Sequence, residues 1–518
     1  MQTRFARAGE DMIPARVSLA LVLLLIVLRG VAAAMLPLSA DEAYYWLWSK
    51  HLAAGYFDHP PMIAWLIKAG TTLFGDTPFG VRTMGVLLSL PASWFVWRAA
   101  ASILKDEDRA ALAALLFNLT LMATVELFAA TPDMPSVVTS AAFVYCLVRL
   151  QASGKGGAGL AAHDADASAA AAYPRARIAP GVWWIGAGIA AGLGLLSKFS
   201  MLFLGAGAFA WLVLDRDARR WFLTPWPWTA ALLALVIFAP NLFWQSNHHW
   251  ETFAFQFGRV STGHFTLRFL GEFLAAQFGL ATPLIFVLMA AGLWRATRLS
   301  SDRLLLALLV WVGLAYFLEH SLHDRVQGNW PCFLYPALAI LAADAFAVPA
   351  SSSEGHPKGG WWRKISMIAV PLAAVFLLAA YAQALYAPLQ LRKDPVARLL
   401  GRDFAPIGEV AAALVKAHLA GAVLTTDYET TAWLRFTQPT VPVIQVNEAE
   451  RYGDAPAPPA SLLQGRLVYL AEFRRDQHPL VQQYFAYTGF PTQMQTPSSL
   501  YMLYPVARPK SFPIGKMP

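Results

Sequence analysis

Along most of the chain, long apolar runs alternate with short polar breaks. Eleven runs approach the ~20 apolar residues that a helix needs to cross a bilayer core. They cover residues 17–38, 82–104, 109–128, 134–150, 181–196, 199–214, 227–244, 273–294, 303–319, 332–349 and 365–387. The pairs 109–128/134–150 and 181–196/199–214 are joined by very short turns and read as tight hairpins. Between the runs lie a loop at 39–81 dense in aromatics, an Ala/Gly-rich loop at 151–180, and a further loop at 245–271. After residue 387 the pattern changes. Ile407–Leu419 has helical period, Ala422–Thr426, Val441–Gln445 and Arg466–Leu470 read as short strands, and Tyr428–Phe436 reads as a helix between the first two. The pattern therefore predicts a polytopic α-helical membrane protein, with a membrane part over 1–387 and a small α/β domain over 388–518.

Composition sharpens this reading. Hydrophobic residues make up 57% of the 518 residues and charged residues only 14%, and mean hydropathy is +0.46. Too few charges remain to wet the surface of a soluble protein of this size. A soluble enzyme, a nucleic-acid binder and a disordered chain are all disfavoured. The net charge of +8 is better read through its distribution. With the N-terminus in the cytoplasm, nineteen Lys and Arg fall on the cytoplasmic side of the spans and seven on the other. That asymmetry obeys the positive-inside rule, and eleven spans then put residues 388–518 outside. The first span has a basic start and a small-residue end, as a signal peptide has. Leu38 stands where a small residue is needed for cleavage and the apolar run is long, so it is read as a retained helix. Cys146 and Cys332 lie in apolar runs and read as buried thiols rather than a disulfide.

The outside loops carry the candidate chemistry. The first contains Asp41-Glu42-Ala43-Tyr44-Tyr45-Trp46 and then Gly55-Tyr56-Phe57-Asp58-His59-Pro60-Pro61. Tyr45, Trp48 and Leu52 share a helical face, which predicts an interfacial helix with aromatics toward the headgroups. Pro61 suits the first turn of a second helix running to about Thr72. Asp41 and Asp58 suit general-base work or metal binding, and capping of a following helix serves equally well. His59 alone reads as an ordinary loop histidine. Asp133, in the turn Thr131-Pro132-Asp133-Met134-Pro135, is a carboxylate at membrane depth or an N-cap. Arg82, Lys198 and Arg325 are cations on the side with few of them. Each meets an anion or anchors a helix end by snorkelling. Snorkelling suits Arg82, whereas the short turn of Lys198 favours an anionic ligand. Arg29, inside the first span, needs a partner or an aqueous cavity.

These residues carry a resemblance. The run from Asp41 to Pro61, followed by Gly75-Asp76 and Arg82, resembles the bacterial branch of the dolichyl-phosphate-mannose protein mannosyltransferase superfamily. These are GT-C fold glycosyltransferases, related to the lipid A aminoarabinose transferase. The Asp133 turn, the Lys198 turn and Gly328-Asn329-Trp330-Pro331 also match. The resemblance implies transfer of a sugar from a polyprenyl-phosphate donor on the extracytoplasmic face of a bacterial inner membrane. The acceptor would be lipid A, core glycan, another lipid or a protein. Asp41 corresponds to the catalytic base, Asp133 to the acidic residue of the second outside loop, and Asp58-His59-Pro60-Pro61 to an acidic-basic-Pro-Pro motif. Aminoarabinose transferases carry Lys where this chain has His59. Asp58, His59, Arg82, Asp133, Lys198 and Arg325 are the expected donor-binding set. Asp41 and Asp133 are the candidate ligands if a divalent cation takes part. Residues 245–271 are too few to hold the large outer-loop domain of the eukaryotic protein mannosyltransferases. A polytopic transporter or flippase of lipid-linked sugars is the alternative from another class. It accounts for the spans but not for the Asp/His loop or the outer domain.

The orientation is directly testable. A reporter active only outside the cytoplasm, fused after Lys393, should be active. Activity of a cytoplasm-only reporter at that position would reverse the topology.

Overall fold

The structure, a computed structural model, describes residues 13–158, 179–258, 264–299, 301–346, 359–389, 391, 394–402, 404–453, 455–496, 499–511 and 514–518. Most of the expected loop at 151–180 lies outside the described residues.

All eleven apolar runs are helical, but not all are single helices. The first is α1 (Ala15–Met35). The loop after it folds as α2 (Ala40–Trp48) and α3 (Met62–Phe74), and α4 (Pro78–Leu104) follows. Next come α5 (Glu107–Leu119), α6 (Leu121–Glu126), α7 (Asp133–Ala158), α8 (Pro180–Ser197), α9 (Met201–Leu214) and α10 (Trp226–Asn247). The later membrane part holds α11 (Glu251–Phe257), α12 (Arg268–Leu280), α13 (Pro283–Leu299), α14 (Ser301–His320), α15 (Tyr335–Phe346) and α16 (Gly359–Tyr386). Among the described residues, seven helices are long and apolar enough to cross a membrane, or eight if α12 and α13 count as one bent span. The runs at 199–214 and 332–349 give shorter apolar helices, and the run at 109–128 gives two short helices, α5 and α6.

Two runs are broken, for local reasons. Residues 273–294 were expected as one span, yet α12 and α13 meet at 108°. Thr282 adopts φ 63° and Pro283 opens the next helix. Proline has no N–H to give to the preceding turn. Residues 109–128 part at Thr120, whose extended backbone ends α5 and whose Oγ1 accepts from Ala123 N (3.1 Å) to cap α6.

The bundle is built on small residues. Ala110–Ala114 of α5 and Ala337, Ala339, Ala342 and Ala343 of α15 are at most 1% exposed. In lipid no hydrophobic difference drives helices together, so close backbone approach supplies the packing. At Gly292 a Cβ would stand 2.1 Å from the Leu341 carbonyl oxygen, so α13 and α15 touch only because Gly stands there. Outward faces are apolar too: Leu23, Leu24, Val27 and Val31 of α1 are about half exposed or more, as a lipid-facing helix requires.

Beyond α16, α17 (Pro395–Leu399) and α18 (Ala405–Lys416) lead into a six-stranded sheet. Strands β1 (Ala422–Thr425), β2 (Val443–Gln445) and β3 (Leu467–Glu472) are parallel and match the expected strands. Strands β4 (Phe485–Thr488), β5 (Thr492–Gln495) and β6 (Leu500–Pro509) complete the sheet in antiparallel fashion. The sheet order is β2-β1-β3-β6-β4, with β5 also on β6. Helix α19 (Tyr428–Thr437) connects β1 to β2 and packs directly on α2.

That packing corrects one expectation. The aromatics of α2 do not face headgroups. Residues Glu42 to Trp48 are all buried, between the bundle and the C-terminal domain. Trp46 meets Phe436 edge-on at 5.0 Å, Tyr44 lies 5.1 Å from Tyr428, and Trp433 Nε1 donates to Leu38 O (3.0 Å). Helix α2 is seated from below by a buried ion pair. Ser39 and Glu42 form a capping box, and Arg82 of α4 donates to both Glu42 oxygens at 2.6 Å. Arg82 also donates to Leu36 O (2.6 Å) and Pro37 O (2.7 Å), and Ala130 N donates to Glu42 (3.1 Å). Arg82 is fully buried in these contacts. Deeper in the bundle, Arg29 donates to Ser89 Oγ (2.8 Å) and Asn118 Oδ1 (3.5 Å), which are neutral partners.

Removing one member of a buried pair leaves the other charge without compensation, at about 3–5 kcal/mol. Glu42→Gln should therefore lower the thermal unfolding midpoint in detergent by many degrees. A midpoint within a degree or two of wild type would deny the pair this role.

Candidate active site

A cavity of about 570 Å³ opens where the first loop, the bundle and the C-terminal domain meet. Asp41, Tyr44, Tyr45, Asp58, His59, Asp133 and Lys198 line it. The bundle adds an aromatic wall, including Phe199, Phe203, Tyr316 and Trp330. The C-terminal domain adds Tyr428 and Arg451.

Asp41 does not cap its helix, because Ser39 does. Its Oδ1 accepts from Tyr428 Oη of the C-terminal domain (2.9 Å). Burial raises the Asp41 pKa above the usual carboxylate range. The Tyr428 hydrogen bond works against that rise, and the charges of Asp58, Glu42 and Asp133 add to it. The outcome is a carboxylate more basic than one in water, facing a cavity.

Asp58 does not cap either; the N-cap of α3 is Pro61, and no side chain caps that helix. Its Oδ2 accepts from Tyr44 Oη (2.6 Å) and its Oδ1 from Arg451 Nη1 (2.5 Å). Gln256 Nε2 of α11 donates to the Asp58 carbonyl (2.6 Å), and Thr252 Oγ1 to Tyr56 O (2.6 Å). Helix α11, in the loop after α10, thus holds the Asp-His-Pro-Pro turn in place. His59 sits at the rim, its ring 6.2 Å from that of Tyr45.

Asp133 opens α7, and its side chain serves the cavity floor. Lys198 Nζ, in the turn after α8, donates to Asp133 Oδ1 at 2.6 Å. Asn329 Nδ2 donates to Oδ2 (2.9 Å) and Cys332 Sγ to Oδ1 (3.0 Å). The short turn of Lys198 does meet an anion, and in this structure the anion is Asp133. Cys332 and Cys146 are both free thiols.

Two expected donor cations are placed elsewhere. Arg82 does not line the cavity, because Glu42 and the carbonyls at the end of α1 consume its donors. Arg325 is exposed and pairs with Glu272 (2.8 Å). Of the Lys and Arg residues described, Lys198 and Arg451 line the cavity. Arg451 had no mark in the sequence. It stands 393 positions from Asp58 in a 3-10 turn, Ala449–Tyr452, with nothing local to distinguish it from a surface arginine. Glu448, beside it, is pushed up to about 7 by burial even though Arg451 opposes the shift.

The residues present do not fit a resident metal ion at Asp41 and Asp133. An ammonium, an amide and a thiol already engage both Asp133 oxygens. Among the described residues no three His, Cys, Asp or Glu side chains are grouped to hold a metal.

Comparison with known proteins agrees with this architecture. ArnT from Cupriavidus metallidurans, solved with undecaprenyl phosphate bound, superposes with a TM-score of 0.60 at 16% identity. The superposition covers 94% of this chain and 97% of that one. The chain has the GT-C fold. The family model for dolichyl-phosphate-mannose-protein mannosyltransferase matches residues 58–164 and 167–244. A lipid A galacturonosyltransferase of Rhizobium johnstonii is 29% identical over 311 residues, 58% of this chain and 59% of that protein. An undecaprenyl phosphate-alpha-4-amino-4-deoxy-L-arabinose arabinosyl transferase of Sodalis glossinidius is 26% identical over 313 residues, 57% of this chain and 50% of that protein. The matched stretch thus spans between half and three fifths of these relatives. With its membrane-spanning helices and bacterial GT-C relatives, the chain is a multi-pass inner-membrane protein.

Proposed function

We propose that the protein is a membrane glycosyltransferase. It moves a sugar from a polyprenyl-phosphate donor to a hydroxyl of lipid A or a related envelope glycan. The membrane part, 1–387, forms the catalytic bundle, and the domain at 388–518 stands on the extracytoplasmic side. The observation that carries this reading is the cavity itself. It holds one carboxylate with a raised pKa, Asp41, together with the buried cation Lys198 and the cation Arg451. The activity named for the galacturonosyl relative supports lipid A as acceptor, and that named for the arabinosyl relative supports an undecaprenyl-phosphate-linked sugar as donor.

The chemistry is a single displacement. Asp41 takes the proton of the acceptor hydroxyl, and the hydroxyl oxygen attacks the anomeric carbon. The bond from that carbon to the phosphate oxygen breaks, and its electron pair leaves with polyprenyl phosphate. One base and no enzyme nucleophile predict inversion at the anomeric carbon. Lys198 meets the charge that develops on the leaving phosphate, fixed in position before the reaction begins. Tyr316, Phe199 and Phe203 suit the lipid end of the donor. His59 and Asp58 line the cavity beside Arg451.

Three measurements test this. Mass spectrometry of lipid A, core glycan and envelope lipids should show one sugar lost when the gene is deleted; unchanged profiles would remove the proposal. Asp41→Asn keeps the size of the side chain and should lower transfer at least about a hundredfold, as loss of a general base does. Near-normal turnover would leave Asp41 no role in proton transfer. The pH profile carries a sign. Asp41 works when deprotonated, so activity is lost as pH falls through its raised pKa. Tyr428→Phe removes the hydrogen bond that holds this pKa down, so the acidic limb of kcat/KM should move to higher pH. A limb that stays put or moves lower contradicts the pairing.

A further inference from the structure

Arg451 is held in an unusual setting for a residue of an outer domain. Its side chain is only 16% exposed. The guanidinium carbon lies 4.8 Å from the Tyr428 ring centre, 5.6 Å from Phe57, 5.7 Å from Phe255 and 5.8 Å from Tyr44. These four rings come from three parts of the chain: the first loop, α11 and α19. Nη1 pairs with Asp58 at 2.5 Å and Nε with Glu448 at 3.4 Å. Aromatic faces stabilise a guanidinium and hold its plane while excluding water. The carboxylates fix its rotation in that plane. The result is a desolvated, oriented cation that borders the cavity.

We propose that Arg451 binds an oxyanion of the sugar donor, so that the C-terminal domain completes the binding site. The inference rests on the glycosyltransferase reading above. A guanidinium has five N–H donors in a rigid fork, more than the pairs to Asp58 and Glu448 require. That fork matches the paired oxygens of a phosphodiester or a carboxylate. Charge in the cavity points the same way. Lys198 is held in the bundle by Asp133 at 2.6 Å, as Arg451 is held at the first loop by Asp58 at 2.5 Å, and Arg82 and Arg325 lie outside the cavity. Arg451 is therefore the cation that this chain places opposite the bundle, at the Asp58-His59 turn. Two oxyanions share the required chemistry: the phosphate of any polyprenyl donor, and the carboxylate of a uronosyl donor.

The experiment uses the full chain in nanodiscs, with undecaprenyl phosphate as the probe. Arg451→Gln should weaken its binding about 10- to 100-fold, the range for losing a charge-assisted hydrogen bond. Arg451→Lys should recover part of it, because the charge returns without the fork. Arg466→Gln serves as the control. It removes an exposed cation of the same domain that does not line the cavity, and should leave probe binding unchanged. If Arg451→Gln leaves probe binding intact but lowers turnover of a uronosyl donor more than that of a neutral-sugar donor, the oxyanion is the sugar carboxylate. A folded Arg451→Gln that matches wild type with probe and donors overturns the proposal, as does an equal loss in Arg466→Gln. Should Arg451→Gln fail to fold, Arg451→Lys decides: undiminished binding and turnover there would deny the fork its role. Wild-type protein that does not bind undecaprenyl phosphate would remove the glycosyltransferase reading itself, independently of Arg451.

Discussion

The site depends on how α2 is rotated, and the Glu42–Arg82 pair sets that rotation. Successive residues of a helix point about 100° apart. Once Glu42 is anchored against α4 by two 2.6 Å hydrogen bonds, Asp41 has to turn toward the cavity. The two acidic neighbours thus have opposite fates. Glu42 is fully paired by Arg82, Ser39 and Ala130 and has no capacity left for chemistry. Asp41 keeps a single neutral donor from Tyr428 and stays basic. An ion pair 40 residues apart in the chain therefore decides which carboxylate can act as a base.

The C-terminal domain is part of the same construction. Its helix α19 covers the aromatics of α2, which would otherwise be an exposed apolar patch. The same contact brings Tyr428 to Asp41 and, through the turn after β2, Arg451 to Asp58. Parallel pairing of β1 with both β2 and β3 requires crossover connections, and the first crossover is α19. The topology of the sheet therefore places a helix and a loop on the face that meets the membrane part.

Charge in the cavity is arranged in local pairs. Asp133 has Lys198, and Asp58 has Arg451. Such pairing makes buried ions tolerable and leaves Asp41 as the carboxylate met by a hydroxyl instead of a cation. That difference, more than position along the chain, supports the proton-transfer role proposed for Asp41.

What the sequence determined by itself was the class of molecule and the list of carboxylates. Apolar runs long enough to span a bilayer are a property of composition and need no partner, so all eleven segments proved helical. The strands at Ala422, Val443 and Leu467 were legible for the same reason, being short β-branched or aliphatic runs between turn residues. Strand β6 was not, because Pro505 and Pro509 lie within it and proline argues against a strand when read locally. The breaks at Thr120 and Thr282 escaped notice because apolar composition continues through them. Only the tertiary structure decided the roles of the charges. Of Arg82, Lys198, Arg325 and Arg451, one is buried against Glu42, one is paired to Asp133, one is left on the surface, and one is carried into the cavity by a distant domain. Electrostatic partners are set by proximity in space, and proximity between residues hundreds of positions apart has no local trace in the chain.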